Sequence, residues 1–190
     1  VVSPLLALIK DQLAFLASKG IAAASIDSSL KGNEAQQVMS RVRSGELKIL
    51  MVSVERFKNE RFREFIQSIP ISMLVVDEAH CISEWGHNFR PDYLKLPEYR
   101  KRLNIDLVLL LTATATKKVK QDMAAKFDID INDIVQTGFY RNNLDLSVVP
   151  VDEKQKNSKL LSLIQQQQGA GIIYVTLQQS AEAVANFLIE

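Results

Sequence analysis

Met73-Leu74-Val75-Val76-Asp77-Glu78-Ala79-His80 decides the reading of this chain, because four apolar residues run without a break into two adjacent carboxylates. A short, uninterrupted apolar run is the pattern of a strand buried on both faces, as in a parallel sheet covered by helices. Leu107-Val108-Leu109-Leu110-Leu111 has the same character. On either side of these runs, brief aliphatic segments alternate with helical periodicities, the mark of βαβ units. Strands are expected at residues 1–3, 21–26, 48–53, 73–76, 107–111 and 134–138, with helices at 33–44, 55–66, 93–103 and 116–127. Ser3-Pro4 reads as a helix N-cap with proline at the first helical position, and Leu5, Leu8, Ile9, Gln12, Leu13 and Leu16 follow at helical spacing.

The pattern loosens over residues 139–143 and then resumes, with a strand at 144–151, a helix at 158–168, a strand at 171–175 and a helix at 180–189. The expected organisation is one α/β domain over residues 1–140 and the opening of a second over 141–190. A length of 190 residues suits one domain plus part of another. Hydrophobic residues make up 47% and charged residues 24%, so a packed core is within reach and disorder is not the default. The formal net charge of +1 supplies no global field for a polyanion, so a nucleic-acid partner has to be argued from a local site. Cys81 is the single cysteine, which excludes an internal disulfide and a thiolate metal cluster and suits a reducing compartment. No apolar run approaches the roughly 20 residues that cross a bilayer, and no basic stretch precedes an apolar one at the amino terminus. A cytoplasmic protein without a membrane partner is expected. Val1, Val2 and Ser3 already read as the end of a buried strand, with no initiator methionine, and the chain is taken as incomplete.

Asp77 and Glu78 follow directly on a strand, at the carboxyl edge where open α/β sheets bind ligands. Mg²⁺ takes oxygen ligands, keeps several waters and is commonly held through one or two carboxylates plus substrate phosphates. Asp77 suits that role, holding the ion through water. Glu78 is placed to polarise or deprotonate a water that attacks a phosphate, and His80 to bond a neighbouring element and report the nucleotide state. An acidic turn that simply caps and solubilises a strand is the alternative for an isolated pair.

Read on from there, Asp77-Glu78-Ala79-His80-Cys81-Ile82-Ser83-Glu84-Trp85-Gly86-His87-Asn88-Phe89-Arg90-Pro91-Asp92-Tyr93 resembles the Walker B motif and aromatic-rich loop of RecQ-family DNA helicases. Val1 to Leu5 with Lys10-Asp11-Gln12 resembles helicase motif Ia, Val52 to Phe57 motif Ib, and Leu111-Thr112-Ala113-Thr114-Ala115-Thr116 motif III. Gly171-Ile172-Ile173-Tyr174-Val175 resembles the first strand motif of the second motor domain. Val54 and Asn142 stand where the family favours proline, and Glu84 where glutamine is common.

The resemblance implies a RecA-like P-loop NTPase fold of three layers around a mostly parallel sheet, truncated, followed by the start of a second RecA-like domain. It implies ATP and Mg²⁺ as cofactors, single-stranded and partly duplex DNA as partner, 3′ to 5′ movement, and a part in repair or recombination. Trp85 and Phe89 would stack on unpaired bases, at roughly 1 to 3 kcal/mol per base, and Arg90 would meet a phosphate or a carboxylate bidentately. The alternative for the two rings is to pin the loop to the domain. Ser3, Pro4 and Gln12 resemble a backbone-binding segment, a reading that competes with a plain helix cap. Thr112 and Thr114 offer hydroxyls that would bond His80 or Asp77 and couple hydrolysis to movement, while Thr116 reads as a helix cap.

Phosphate grip in such motors uses G-x-x-x-x-G-K-[ST]. The seven glycines stand at 20, 32, 45, 86, 138, 169 and 171, and none precedes Lys-Ser or Lys-Thr. The family places that loop upstream of Val1, and its arginine finger, zinc and winged-helix modules downstream of Glu190, so zinc is expected only outside this sequence. Two other functions remain open at this point: an RNA helicase of the DEAD/DEAH kind, and a noncatalytic platform that uses the motor fold for docking.

Overall fold

The computed structural model describes residues 1–27, 30–86, 89–138 and 142–189, which form two compact units, Val1–Gln136 and Thr137–Glu190. The boundary expected between residues 140 and 141 lies outside the described residues. In the first unit the order is α1 (Leu6–Ser18), β1 (Ala23–Ile26), α2 (Gly32–Arg43), β2 (Ile49–Val52), α3 (Glu60–Gln67), β3 (Met73–Val76), α4 (Leu96–Arg102), β4 (Leu107–Leu110) and α5 (Lys117–Lys126). β1 pairs with β2 and β3 with β4, all parallel. The two pairs are joined by Val2, which bridges Val52 on one side and Val76 on the other. Val2 N donates to Val75 O at 2.8 Å, and Val52 N to Val1 O at 2.9 Å.

The lateral order is therefore β1, β2, residues 1–3, β3, β4. The chain leaves the central segment toward β1, returns through β2, and crosses to β3 before running on to β4. A topological switch point thus falls between residues 1–3 and β3, the place where open parallel sheets gather ligands at their carboxyl ends. Burial follows the same line: Val2, Ile26, Val52, Val76, Phe62, Phe65, Tyr93 and Phe127 are all in the core. Phe57 stacks on Tyr99 at 4.6 Å between centroids and meets Phe62 edge-on at 5.4 Å.

Local chemistry explains where the helices begin. Asn59 Oδ1 accepts from Phe62 N at 3.0 Å, so the helix expected over residues 55–66 is broken into a 3₁₀ turn, Val54–Lys58, and α3. The 93–103 helix divides likewise, into Pro91–Lys95 and α4, because Pro97 lacks an N–H and fits only a first turn. Thr116 Oγ1 accepts from Val119 N at 3.3 Å and caps α5. Ser3 does not cap α1, which starts at Leu6 behind an extended Leu5, because the Ser3 hydroxyl is committed elsewhere.

In the second unit α6 (Lys156–Gln166) and α7 (Gln178–Ile189) pack on each other. Among the described residues no strand forms at 134–138, 144–151 or 171–175, where strands were expected. An apolar extended segment becomes a strand only against a hydrogen-bonding neighbour. Here the side chains stand in solvent, with Leu146 91% and Tyr174 89% exposed.

Candidate functional site

Asp77 and Glu78 leave the end of β3 at the switch point, both half-buried. Ser3, fully buried, donates its hydroxyl to Asp77 Oδ2 at 3.0 Å, and Glu78 N donates to Oδ1 at 2.9 Å. Two neighbouring strand ends are thereby tied across the switch point through a carboxylate. Among the described residues neither Asp77 nor Glu78 forms an ion pair with Lys or Arg. Glu78 lies in the left-handed region at φ 49°, a conformation that costs a non-glycine residue about 1 to 3 kcal/mol and persists where the surroundings enforce it.

Glu78 turns back onto His80, with Oε2 at 3.2 Å from Nδ1. The same nitrogen lies 2.9 Å from Thr112 Oγ1, which reaches across from the end of β4. Thr112 donates its own hydrogen to Thr114 O at 3.2 Å, and a carboxylate only accepts, so the proton between His80 and these partners resides on Nδ1. Tyr93 is buried in the core and leans its hydroxyl toward Asp77 O at 3.5 Å. Burial pushes the phenol above its usual range, so it stays a donor.

The loop that follows is held at its root and open at its tip. Cys81, Ile82 and Ser83 are buried, whereas Trp85 is 62% exposed. Gly86 makes the turn possible: a Cβ there would lie 2.4 Å from the His80 carbonyl oxygen. Arg90 reaches Pro4 O at 3.4 Å and the Glu55 carboxylate at 3.9 Å, linking the loop to the segments after residue 3 and after β2. Phe89 is half-buried, and His87 and Asn88 lie outside the described residues. Gln12 stands two turns into α1, half-buried, with its amide oxygen enclosed.

Three residues at the site carried no readable signal in the sequence. Lys118 on α5 places its ammonium 3.0 Å from the centre of the Trp85 ring. Asp122, one turn later, accepts from Lys126 at 2.6 Å and faces Ser83. Burial works against its charge, but the Lys126 and Ser83 hydrogen-bonding groups prevail and hold the carboxyl below its usual range. Gly86 was legible only as one glycine among seven.

Parallel strands that diverge to either side of a central segment, with an acidic pair at the point of divergence, put the first unit in the RecA-like class of α/β domains. Residues 1–122 match the family model described as DEAD/DEAH box helicase, and the chain belongs to that family. Its similarity within the family is to RecQ-type proteins. It is 39% identical over 187 residues to the "Probable ATP-dependent DNA helicase RecS" of Bacillus subtilis, covering 97% of this chain and 37% of that protein. It is 34% identical to the ATP-dependent DNA helicase RecQ of the same organism, over 97% of this chain and 31% of the relative. The ATP-dependent DNA helicase Q-like 5 of Arabidopsis thaliana is 34% identical over 99% of this chain and 21% of its own length. The chain thus spans roughly a third or less of the curated relatives it matches.

Proposed function

We propose that this chain is the DNA-sensing and hydrolytic-acid part of an ATP-dependent DNA helicase that moves 3′ to 5′ on DNA in repair or recombination. Residues 1–140 are the bulk of the first motor domain and residues 141–190 the start of the second. The observation that carries the reading is the continuous path from Asp77 through Glu78 and His80 to Thr112, with the Trp85 loop growing directly out of it.

Asp77 fits a hard cation: its carboxylate oxygens accept from a neutral hydroxyl and a backbone N–H, and among the described residues it forms no ion pair with Lys or Arg. Among the described residues no group of three or more acidic, His or Cys side chains surrounds it. Asp77 would hold such an ion through water, the remaining ligands being water and nucleotide oxygens of the kind Mg²⁺ prefers. When bound, Mg²⁺ neutralises charge on the transferring phosphoryl group. Glu78 orients the attacking water and takes its proton, and His80 holds the Glu78 carboxylate in place through Nδ1. The same His80 nitrogen contacts Thr112, so a shift of Glu78 is felt at the loop that leads to Thr114 and α5. Trp85 and Phe89 stack on bases of a single strand, Arg90 contacts the DNA from the root of the loop, where it meets the segments after residue 3 and after β2, and Ser3, Pro4 and Gln12 line the path of the DNA backbone. Single-stranded and partly duplex DNA are the substrates. No helix among the described residues is long and apolar enough to cross a membrane, and the working location is the cytoplasm, at the nucleoid if the source is bacterial and in the nucleus if it is eukaryotic.

Hydrolysis of ATP stimulated by single-stranded DNA tests the proposal. The longer protein that carries this chain is expected to turn over, and Glu78→Gln to cut its rate by about 10² to 10⁴, the usual weight of a general base, while single-strand binding persists. The 190 residues alone are expected to turn over negligibly, lacking the phosphate-gripping lysine. Undiminished turnover in Glu78→Gln would falsify the assignment of the base.

A further inference from the structure

The exposed ring of Trp85 is already occupied. Lys118 lies over it at 3.0 Å from the centroid, brought there by α5, whose start is fixed by the Thr116 cap. The root of the loop packs on the same helix: α5 contacts the buried turn Ala79–Ile82, and beyond it the fully buried Ser83 accepts from Trp85 N through its hydroxyl at 3.3 Å. Lys118 and Asp122 sit one helical turn apart and so share a face. α5 thus grips the loop at two points, one at the base and one on the aromatic face itself.

We propose that Lys118 is a latch on the Trp85 stacking surface, displaced when an unpaired base takes the ring. This deepens the function proposed above and rests on Trp85 being a stacking platform. An ammonium and a base cannot both lie on one ring face. A base offers a broader contact, since stacking on an aromatic side chain is the stronger interaction at an exposed site. A duplex offers no free base face, so phosphates alone leave the latch shut. The residue therefore filters single strands from duplex before the loop changes position, and its release hands the change to α5 and the Thr112 to Thr116 segment that precedes it.

Trp85 is the only tryptophan in the chain, so its emission reports the contact directly. The test uses the 190-residue chain, oligo(dT) and a blunt duplex, at salt high enough to screen surface charge. Lys118→Met is compared with Lys117→Met, which loses the same charge from the neighbouring exposed position. Without DNA, Lys118→Met is expected to change the Trp85 emission and its quenching by acrylamide, and Lys117→Met to leave both as they are. With oligo(dT), Lys118→Met should bind about two- to fivefold tighter than Lys117→Met, the weight of an exposed cation–π contact, with no such gain for the duplex. Unchanged emission in free Lys118→Met overturns the latch, and so does weaker oligo(dT) binding, which would make Lys118 a phosphate contact. Equal affinity overturns it too, by placing the base on the other ring face. If Trp85 emission does not respond to oligo(dT) in the unaltered chain, and Trp85→Ala binds as well, the stacking platform itself is disproved, a result distinct from failure of the latch alone.

Discussion

Gly86 shows how little room a functional loop leaves. The carbonyl oxygen of His80 sits where a β-carbon would be, at 2.4 Å, and that oxygen belongs to backbone, which cannot swing aside as a side chain does. Gly86→Ala is expected to destabilise the first unit by about 1 to 3 kcal/mol, the range for forcing an extra methyl into packed structure. A urea midpoint would read the loss, and the Trp85 emission next door would shift with it. An unchanged midpoint would mean that the turn opens without cost. Ser3 teaches a related lesson, because a Ser-Pro pair looks like a helix cap in any sequence, yet this hydroxyl crosses to the next strand and binds Asp77.

Helix α5 carries more of the site than its unremarkable sequence suggests. Its first turn is set by Thr116, and that one bond fixes the rotation that points Lys118 and Asp122 at the aromatic loop. Thr116→Ala should cost about 0.5 to 2 kcal/mol of stability, measured by chemical denaturation, as other N-cap losses do. Loss of Lys118 contact should accompany it, seen as Trp85 emission moving toward that of Lys118→Met. A Thr116→Asn variant, which keeps a capping oxygen, is expected to restore both values, and failure to do so would separate the cap from the loop.

The parallel sheet was legible because its central strands are continuous apolar runs, and Asp77, Glu78, His80 and Thr112 were legible because strand ends bring them to one edge. Their adjacency follows from position along the chain; their work is for the assays above to decide. Residues 144–151 and 171–175 read as strands with equal apolar strength, but strand formation is a property of two segments, and a single sequence segment cannot name its neighbour. Lys118 was hidden for the same reason, since nothing in its own vicinity announces a ring brought from residue 85. Hydrogen exchange should map this contrast onto the whole chain. Amides at Asp77 and Leu111, which bond Val2 O at 2.8 Å and Val76 O at 2.9 Å, should exchange slowly, and those of residues 144–151 at nearly the free-chain rate. Strong protection over 144–151 would reveal pairing that the described backbone lacks.

Val2 bridges the two halves of the sheet, and its partners stand 50 and 74 positions away. During synthesis residues 1–3 are made long before either partner exists. β1 and β2 have no joined neighbour on their inner side until that short piece threads into place, and β3 completes the seam last. Assembly of the sheet on the ribosome must therefore be postponed: residues 1–3 act as the closing stitch for strands made well after them, and until residue 76 has cleared the exit tunnel the nascent domain shows apolar strand edges to whatever chaperone waits there.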